Sequence, residues 1–297
     1  MNCRSIKPAI AASVIALGMA FFHPAASAQV LHRPLVPNST LMEQQGLQLA
    51  GDALRLAQFG QTEAALARIE LASQLAPNNA DILTVLGRLY LQDNEFEQAV
   101  AILNRARPLA PDSPDLLLSL GSAYVRQGSY FAALEALEKG LEIDPESLQG
   151  LFDLGNTHLL LENFDEARAA YETALGIDEE FWPAINNIGL LEYQIGNVEE
   201  SIPQFEASIA LDDTAAEPVL ALATALYILG ETERATELGI QAIQLDFTYG
   251  DIQTLRDNLW GEELIRDVQV LLGERDVRDA LNQARADSQL QELNNAF

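Results

Sequence analysis

The sequence is poor in cysteine, lysine and histidine. Cys3 is the only cysteine, Lys7 and Lys139 are the only lysines, and three histidines are present among 297 residues. A disulfide within one chain is excluded, and no Cys–His nucleophile pair remains once a leader containing Cys3 is removed. No phosphate-binding loop, zinc-ligand spacing or calcium loop is present. The chain is therefore predicted to be non-catalytic, with no cofactor and no metal.

Basic residues are also outnumbered. The chain has 17 Lys and Arg against 44 Asp and Glu, which gives a formal net charge of −27. Nucleic acids and anionic lipid surfaces are bound mainly through Lys and Arg, so neither is expected to be the partner. Two interpretations of the acidic excess stay open, namely solubility of the outer surface and attraction of a basic partner.

What the sequence has in abundance is self-similarity. Gly87, Gly121, Gly155 and Gly189 are spaced 34 residues apart. Two further series keep the same step: Ala99, Ala133 and Ala167, and Pro77, Pro111 and Pro145. This period resembles the tetratricopeptide repeat, a helix–turn–helix unit that stacks into a solenoid. The resemblance implies an all-α fold, a right-handed superhelix of about six repeats with a C-terminal capping helix.

The 34-residue period predicts how the chain is divided. Residues 1–28 are a signal peptide or membrane anchor, 29–39 a linker, 40–249 the solenoid, and 250–297 capping helices and a frayed tail. The predicted repeats are 46–79, 80–113, 114–147, 148–181, 182–215 and 216–249. Within a repeat, a small residue on the first helix and a bulky one on the second are expected where the helices cross. Thr40 and Glu43 match a capping box at the first helix start.

The first 28 residues have the pattern of a secretory leader. Arg4 and Lys7 precede an apolar run over 9–22, and small residues at 26–28 would allow cleavage before Gln29. Cleavage after Ala28 predicts export to a periplasm or thylakoid lumen. A retained leader would instead tether the protein to a thylakoid or plasma membrane.

A closer resemblance concerns three short stretches, residues 181–189, 249–251 and 258–262. Their sequences, FWPAINNIG, YGD and NLWGE, are similar to those of cyanobacterial thylakoid-associated tetratricopeptide proteins. That group includes a protein that interacts with light-dependent protochlorophyllide oxidoreductase. The resemblance implies a membrane-tethered assembly or biogenesis factor for photosynthetic pigment enzymes or complexes.

The repeat family binds peptides or partner helices in a concave groove lined by the first helices. Here the projected groove is apolar with amide edges, which suits an extended peptide or an amphipathic helix. Ser122 and Val125 are expected on this face. The residues predicted to contact a partner are Arg126, Phe152, Asn156, Leu160, Asn186, Asn187, Leu190, Tyr193 and Tyr227. Two alternatives stay open: the apolar members pack between first helices, or the asparagines bridge repeats by side-chain hydrogen bonds.

Some family members clamp an acidic C-terminal tail with groove lysines, but Lys139 falls on a second helix, so an acidic tail is not expected as ligand. His158 takes the repeat position of Tyr90 and Tyr124 and is predicted to be a packed core residue. Taken together, the residues and the resemblance predict a non-catalytic scaffold that binds a protein or peptide segment.

Overall fold

The computed structural model describes residues 38–295, and this part of the chain folds as helices without a strand. The predicted leader over 1–28, and the predicted linker up to residue 37, lie outside the described residues. Six helix pairs come first: α1 (Ser39–Gln58) with α2 (Thr62–Leu75), α3 (Ala80–Gln92) with α4 (Phe96–Ala106), α5 (Pro114–Gln127) with α6 (Tyr130–Ile143), α7 (Leu148–Leu160) with α8 (Phe164–Ile177), α9 (Trp182–Gln194) with α10 (Val198–Leu211), and α11 (Ala216–Ile228) with α12 (Thr232–Leu245). A 3₁₀ turn (Phe247–Gly250) leads to α13 (Ile252–Asp257), α14 (Glu262–Gly273) and α15 (Arg275–Asn295).

Side-chain caps set where several of the first helices begin. The Asn38 side-chain oxygen accepts a hydrogen bond from the Leu41 N–H at 3.2 Å, so α1 starts at Ser39. Thr40 thus lies inside the first turn, and the predicted capping box with Glu43 is wrong. Equivalent caps start three further first helices, at Asn79, Ser113 and Ser147. Each cap satisfies a backbone donor that the helix itself leaves free.

The four middle helix pairs cross where a glycine meets a bulky residue. A methyl group added to Gly155 would lie 2.4 Å from the ring of Tyr171, and one on Gly189 would lie 2.6 Å from Phe205. The same relation, at 2.4 and 2.5 Å, holds for Gly87 with Leu103 and Gly121 with Leu137. All four bulky partners are fully buried, as the sequence predicts. The missing side chain is what allows the two backbones to approach closely.

The turn inside each repeat has one residue in the left-handed region. Four of these residues are glycine, with φ from 71° to 90°: Gly60, Gly128, Gly196 and Gly230. Asn94 and Glu162 hold the same repeat position with φ of 60° and 59°. Glycine adopts this conformation without steric cost, whereas Glu162 is strained. The conformation is therefore imposed by the repeat and not by the residue.

Hydrogen bonds between side chains also link one repeat to the next. The Tyr90 hydroxyl donates to Glu70 at 2.9 Å, and Asn104 donates to the Tyr124 hydroxyl at 2.9 Å. His158 holds the third position of this series and is only partly buried, which differs from the packed core residue predicted. Burial lowers the pKa of His158.

The C-terminal helices have two different positions. Helix α15 packs against α12 and covers the last helix pair of the stack. Helix α14 packs instead against α11 and α9, which are first helices and line the concave side. Residues 286–295, expected to fray, continue α15 as helix. The chain therefore folds back over the concave face of its last two repeats.

Candidate functional site

A cavity of about 390 Å³ opens among the first helices of the middle repeats. It is walled by α3, α5, α7, α9 and α11 and by the turn after α13. Its lining residues are Leu91, Ser122, Val125, Arg126, Gln149, Phe152, Asp153, Asn156, Asn187, Glu217, Asp257, Asn258 and Leu259. The volume lies within the range of about 300–1,000 Å³ typical of ligand pockets. Four of the nine predicted contact residues line it: Arg126, Phe152, Asn156 and Asn187.

Asparagine side chains join three helices at the wall of this cavity. The Asn156 side-chain oxygen accepts from the Tyr171 hydroxyl and from Asn187 Nδ2, both at 2.8 Å. This supports the alternative that the asparagines bridge repeats. Asn156 is only partly buried, and its Nδ2 has no acceptor among the described residues. That amide group is therefore available to a ligand carbonyl.

Asp153 is a buried carboxylate in the cavity wall. It is 9% exposed and accepts hydrogen bonds from the Ser122 hydroxyl and from Gln149 Nε2, the latter at 2.8 Å. Burial raises the pKa of Asp153, although these two bonds and the charge of Arg126 act against the rise. Asp153 is not among the contact residues predicted from the sequence. It holds the repeat position of Asn187, and the same signal, a mid-helix polar residue of poor helix propensity, would have identified it.

Among the described residues that line the cavity, Arg126 alone is basic. Its Nη2 donates to the Asn94 side-chain oxygen at 3.2 Å, and its guanidinium carbon lies 4.6 Å from the centre of the Phe96 ring. Both partners belong to the preceding repeat. The guanidinium is thus held by a neighbouring turn and forms no ion pair with Asp153 in this part of the chain.

Phe152 both lines the cavity and packs against aromatic rings of α8 and of the turn before α9. Its ring meets that of Phe181 edge-on, with centroids 5.5 Å apart, and lies 5.9 Å from that of Tyr171. It is partly buried and still contributes to the cavity wall. Both interpretations of this residue therefore hold at once, because one face of the ring packs between repeats and the rest faces the cavity.

Glu217 stands at the far end of the cavity, on α11. Its carboxylate accepts a hydrogen bond from Trp260 Nε1 at 3.0 Å. Burial raises the pKa of Glu217 to about 7, while the Trp260 and Asn186 side chains partly offset the rise. An acidic residue in the first turn of a helix is commonplace, so no local pattern marks it. Its hydrogen-bond donor Trp260 lies 43 residues later in the chain.

The stability of the protein is expected to fall as the pH rises from 5 to 8. Because the pKa of Glu217 is raised from 4.5 to about 7, the folded state binds this proton more tightly than the unfolded state. The proton on Glu217 contributes about 1–3 kcal/mol to the free energy of unfolding. This contribution is fully present below the unfolded pKa of 4.5 and is lost as the pH rises through the folded pKa of about 7. Asp153 acts in the same direction. Urea titrations measure how much the free energy of unfolding falls between pH 5 and pH 8, and this fall should be smaller in Glu217→Gln than in the parent protein. Equal falls in the two proteins would contradict this assignment.

The C-terminal part of the groove is filled by the chain itself. Leu190 and Tyr193 are 2% and 1% exposed and share an apolar cluster with residues of α14. The Tyr193 hydroxyl donates to Asp267 on α14 at 2.6 Å, and burial raises the pKa of Tyr193. Asn186 is also buried. The prediction that Leu190 and Tyr193 contact a partner is corrected here, because they lie beneath the chain's own helix α14. Asn186 is corrected as well, because its side chain is buried next to Asn187 and Glu217.

The last two predicted contact residues lie away from the cavity. Tyr227 is partly exposed, and its hydroxyl donates to Glu274, directly before α15. Leu160 is partly buried at the end of α7 and does not belong to the lining. Neither residue is brought together with the four that line the cavity.

The turn between α13 and α14 forms the edge of the cavity. Leu259 has φ of +66°, a region that is strained for a residue with a side chain. It packs in a cluster with Phe152 and Phe181, and Trp260 beside it is 4% exposed. Such strain persists only where the surrounding packing over-determines it. The turn is therefore held firmly against the first helices.

Two family models, both described as tetratricopeptide repeat, match this chain over residues 56–122 and 112–180. Residues 56–180 thus match the tetratricopeptide repeat family. The further tetratricopeptide-like helix pairs on either side continue the same stack. No curated protein matches the sequence significantly.

Several solved structures show a similar fold. The pilF protein of Pseudomonas aeruginosa is 17% identical, with a TM-score of 0.58 over 69% of this chain and 93% of that one. A thermophilic tetratricopeptide protein of Thermus thermophilus is 20% identical, with a TM-score of 0.53 over 61% and 99%. MamA of Desulfovibrio magneticus is 17% identical, with a TM-score of 0.51 over 58% and 98%. The closer resemblance to thylakoid-associated proteins finds no support among these matches.

Two functional features are absent from the described residues. Between residues 38 and 295, no group of His, Cys, Asp and Glu side chains is arranged to hold a metal ion. Over the same residues, no helix combines the length and the apolar character needed to cross a bilayer.

Proposed function

We propose that this protein is a non-catalytic scaffold that holds a segment of a partner protein in the open part of its concave groove, along α3, α5 and α7. The observation that carries the proposal is the cavity among these helices, which the C-terminal fold-back leaves open. The repeats support it, because tetratricopeptide repeats generally serve as protein-binding scaffolds.

The lining offers both kinds of contact that a bound segment needs. Leu91, Val125 and Phe152 provide apolar area, and none of the three is fully exposed. Asn156 offers an unused amide donor for a backbone carbonyl. Contact area together with backbone hydrogen bonds is how extended segments are recognised.

The free donor in the lining favours an extended segment over a helix. The backbone carbonyls of a helix are already hydrogen-bonded within it, whereas those of an extended segment are free to accept from the Asn156 amide. An extended segment can also place one long side chain in the cavity and lay its backbone along the first helices.

The proposal is tested with 12-residue peptides selected by phage display on the folded protein. Val125→Arg places a large side chain in the lining and is expected to weaken binding of the selected peptides at least tenfold in fluorescence anisotropy. The matched control is Phe131→Arg, because Phe131 is 80% exposed on α6, a second helix. Circular dichroism would verify that both variants are folded. Peptides that bind both variants and the parent protein equally would place their binding outside the groove.

A further inference from the structure

We infer that the cavity recognises a basic side chain of the bound segment, arginine or lysine, with the carboxylates of Asp153 and Glu217 as its acceptors. This inference rests on the proposed function and makes it more specific, since it names the chemistry that the groove selects.

Carboxylates outnumber basic groups in the cavity. Three carboxylates line it, from Asp153, Glu217 and Asp257. Each is bonded by neutral donors within the described residues: Asp153 by Ser122 and Gln149, Glu217 by Trp260, and Asp257 by Gln253 at 2.8 Å. Arg126 is the single basic residue of the lining. Its charge acts on Asp153, but its guanidinium is bonded to the preceding repeat and not to a carboxylate of the cavity. A buried carboxylate without a cation is costly, so a cation supplied from outside would be bound favourably.

The two inner carboxylates are held in this environment by tertiary structure. Asp153 is fixed by its bonds to Ser122 on α5 and to Gln149 one turn earlier on α7. Glu217 is fixed by the indole of Trp260, which itself belongs to a buried cluster. Neither side chain needs to rearrange before a cation arrives. Acceptors arranged in advance reduce the entropy lost on binding.

The remaining walls match the stem of a long basic side chain. Leu91, Val125, Phe152 and Leu259 present apolar surface around the carboxylates. Lysine and arginine place methylene groups against apolar surface while the charged head reaches a polar site. A guanidinium can also lie against an aromatic face such as that of Phe152. An acidic side chain would be repelled here, and an apolar one would leave the carboxylates desolvated without a partner.

The experiment is the phage selection repeated on the parent protein, on Asp153→Asn and Glu217→Gln singly and together, and on a control. Glu172→Gln is the matched control, because Glu172 is exposed on the second helix α8. We expect peptides selected on the parent and the control to share an arginine or lysine at one position. In peptides selected on the double variant, that preference should disappear.

A charge-neutral replacement then measures the interaction directly. The conserved arginine of a selected peptide is replaced by citrulline, or a conserved lysine by acetyl-lysine. The parent protein should bind the neutral peptide on the order of tenfold more weakly, as expected for loss of a hydrogen bond between charged groups. The double variant should bind both peptides within about twofold of one another, since no charge pair is left to lose.

The outcomes separate this inference from the proposed function. Selected peptides without a shared basic residue, whose binding is still blocked by Val125→Arg, would overturn the basic-side-chain inference and leave groove binding intact. Failure to enrich any peptide above bare support would contradict both. A citrulline peptide that loses equal affinity on the parent and on the double variant would also overturn the inference, because the arginine would then be recognised elsewhere.

Discussion

Replacing Trp260 with alanine is expected to lower the free energy of unfolding by about 3–5 kcal/mol, the usual cost of removing a large buried aromatic side chain. The indole is 4% exposed and packs in the cluster that joins α9, α11 and α14. Its Nε1 is also the donor to Glu217. Removing it opens a void and leaves that carboxylate without its donor. Chemical denaturation followed by far-ultraviolet circular dichroism measures the loss.

Two further variants determine which part of the Trp260 effect is packing. Trp260→Phe keeps most of the apolar volume and removes the donor, so its expected loss is about 1–3 kcal/mol. Trp182→Ala removes the other tryptophan, at the first position of α9. Because Trp182 is less buried than Trp260, its replacement should lower the free energy of unfolding by less. A loss below about 1 kcal/mol for Trp260→Ala would show that the fold-back of α14 does not depend on this anchor.

The second large effect is expected at the crossing of α9 and α10. Phe205 is fully buried, and Phe205→Ala should cost about 3–5 kcal/mol. Gly189→Ala would place a methyl group 2.6 Å from the Phe205 ring and should cost about 1–3 kcal/mol through overpacking. Combining Gly189→Ala with Phe205→Leu should cost less than the sum of the two single changes, since the smaller side chain leaves room for the methyl group.

Gly176→Ala provides the matched control for that pair. Gly176 is exposed within α8, and a methyl group there would meet nothing within 4 Å. The same substitution is then expected to stabilise the protein by about 0.5–1 kcal/mol, because alanine is the better helix former. If Gly189→Ala and Gly176→Ala changed stability alike, close approach of the backbones at the crossing would not be the reason for the glycine.

Much of the fold could be predicted because its determining contacts are local and recur. Gly155 and Tyr171 are 16 residues apart within one helix pair, and the same pairing appears in the repeats before and after it. A contact that recurs at a fixed separation leaves a periodic trace in the sequence. The helix pairs, the left-handed turn residues and the small-to-large crossings could therefore all be predicted from that trace.

The residues that line the groove could be predicted only in part. The C-terminal half of the groove is closed by a segment that does not follow the 34-residue period. Tyr193 occupies a groove-facing repeat position, yet its partner Asp267 lies 74 residues away on α14. The amphipathic pattern of that segment indicated a helix but not the surface it would cover. Long-range contacts of the same C-terminal segment explain why Glu217 and Leu259 were not predicted as cavity residues.

The position of α14 also has a consequence for the length of chain that can be held. Helix α14 packs against α9 and α11, which contribute only Asn187 and Glu217 to the cavity. The first helices that it leaves uncovered are α1, α3, α5 and α7, which span three helix-to-helix intervals. At about 8–10 Å per interval, this track is about 24–30 Å long. An extended chain advancing about 3.3 Å per residue would fit about 7–9 residues on it. The fold-back therefore sets an upper limit on the length of an extended segment that one copy of this protein can bind.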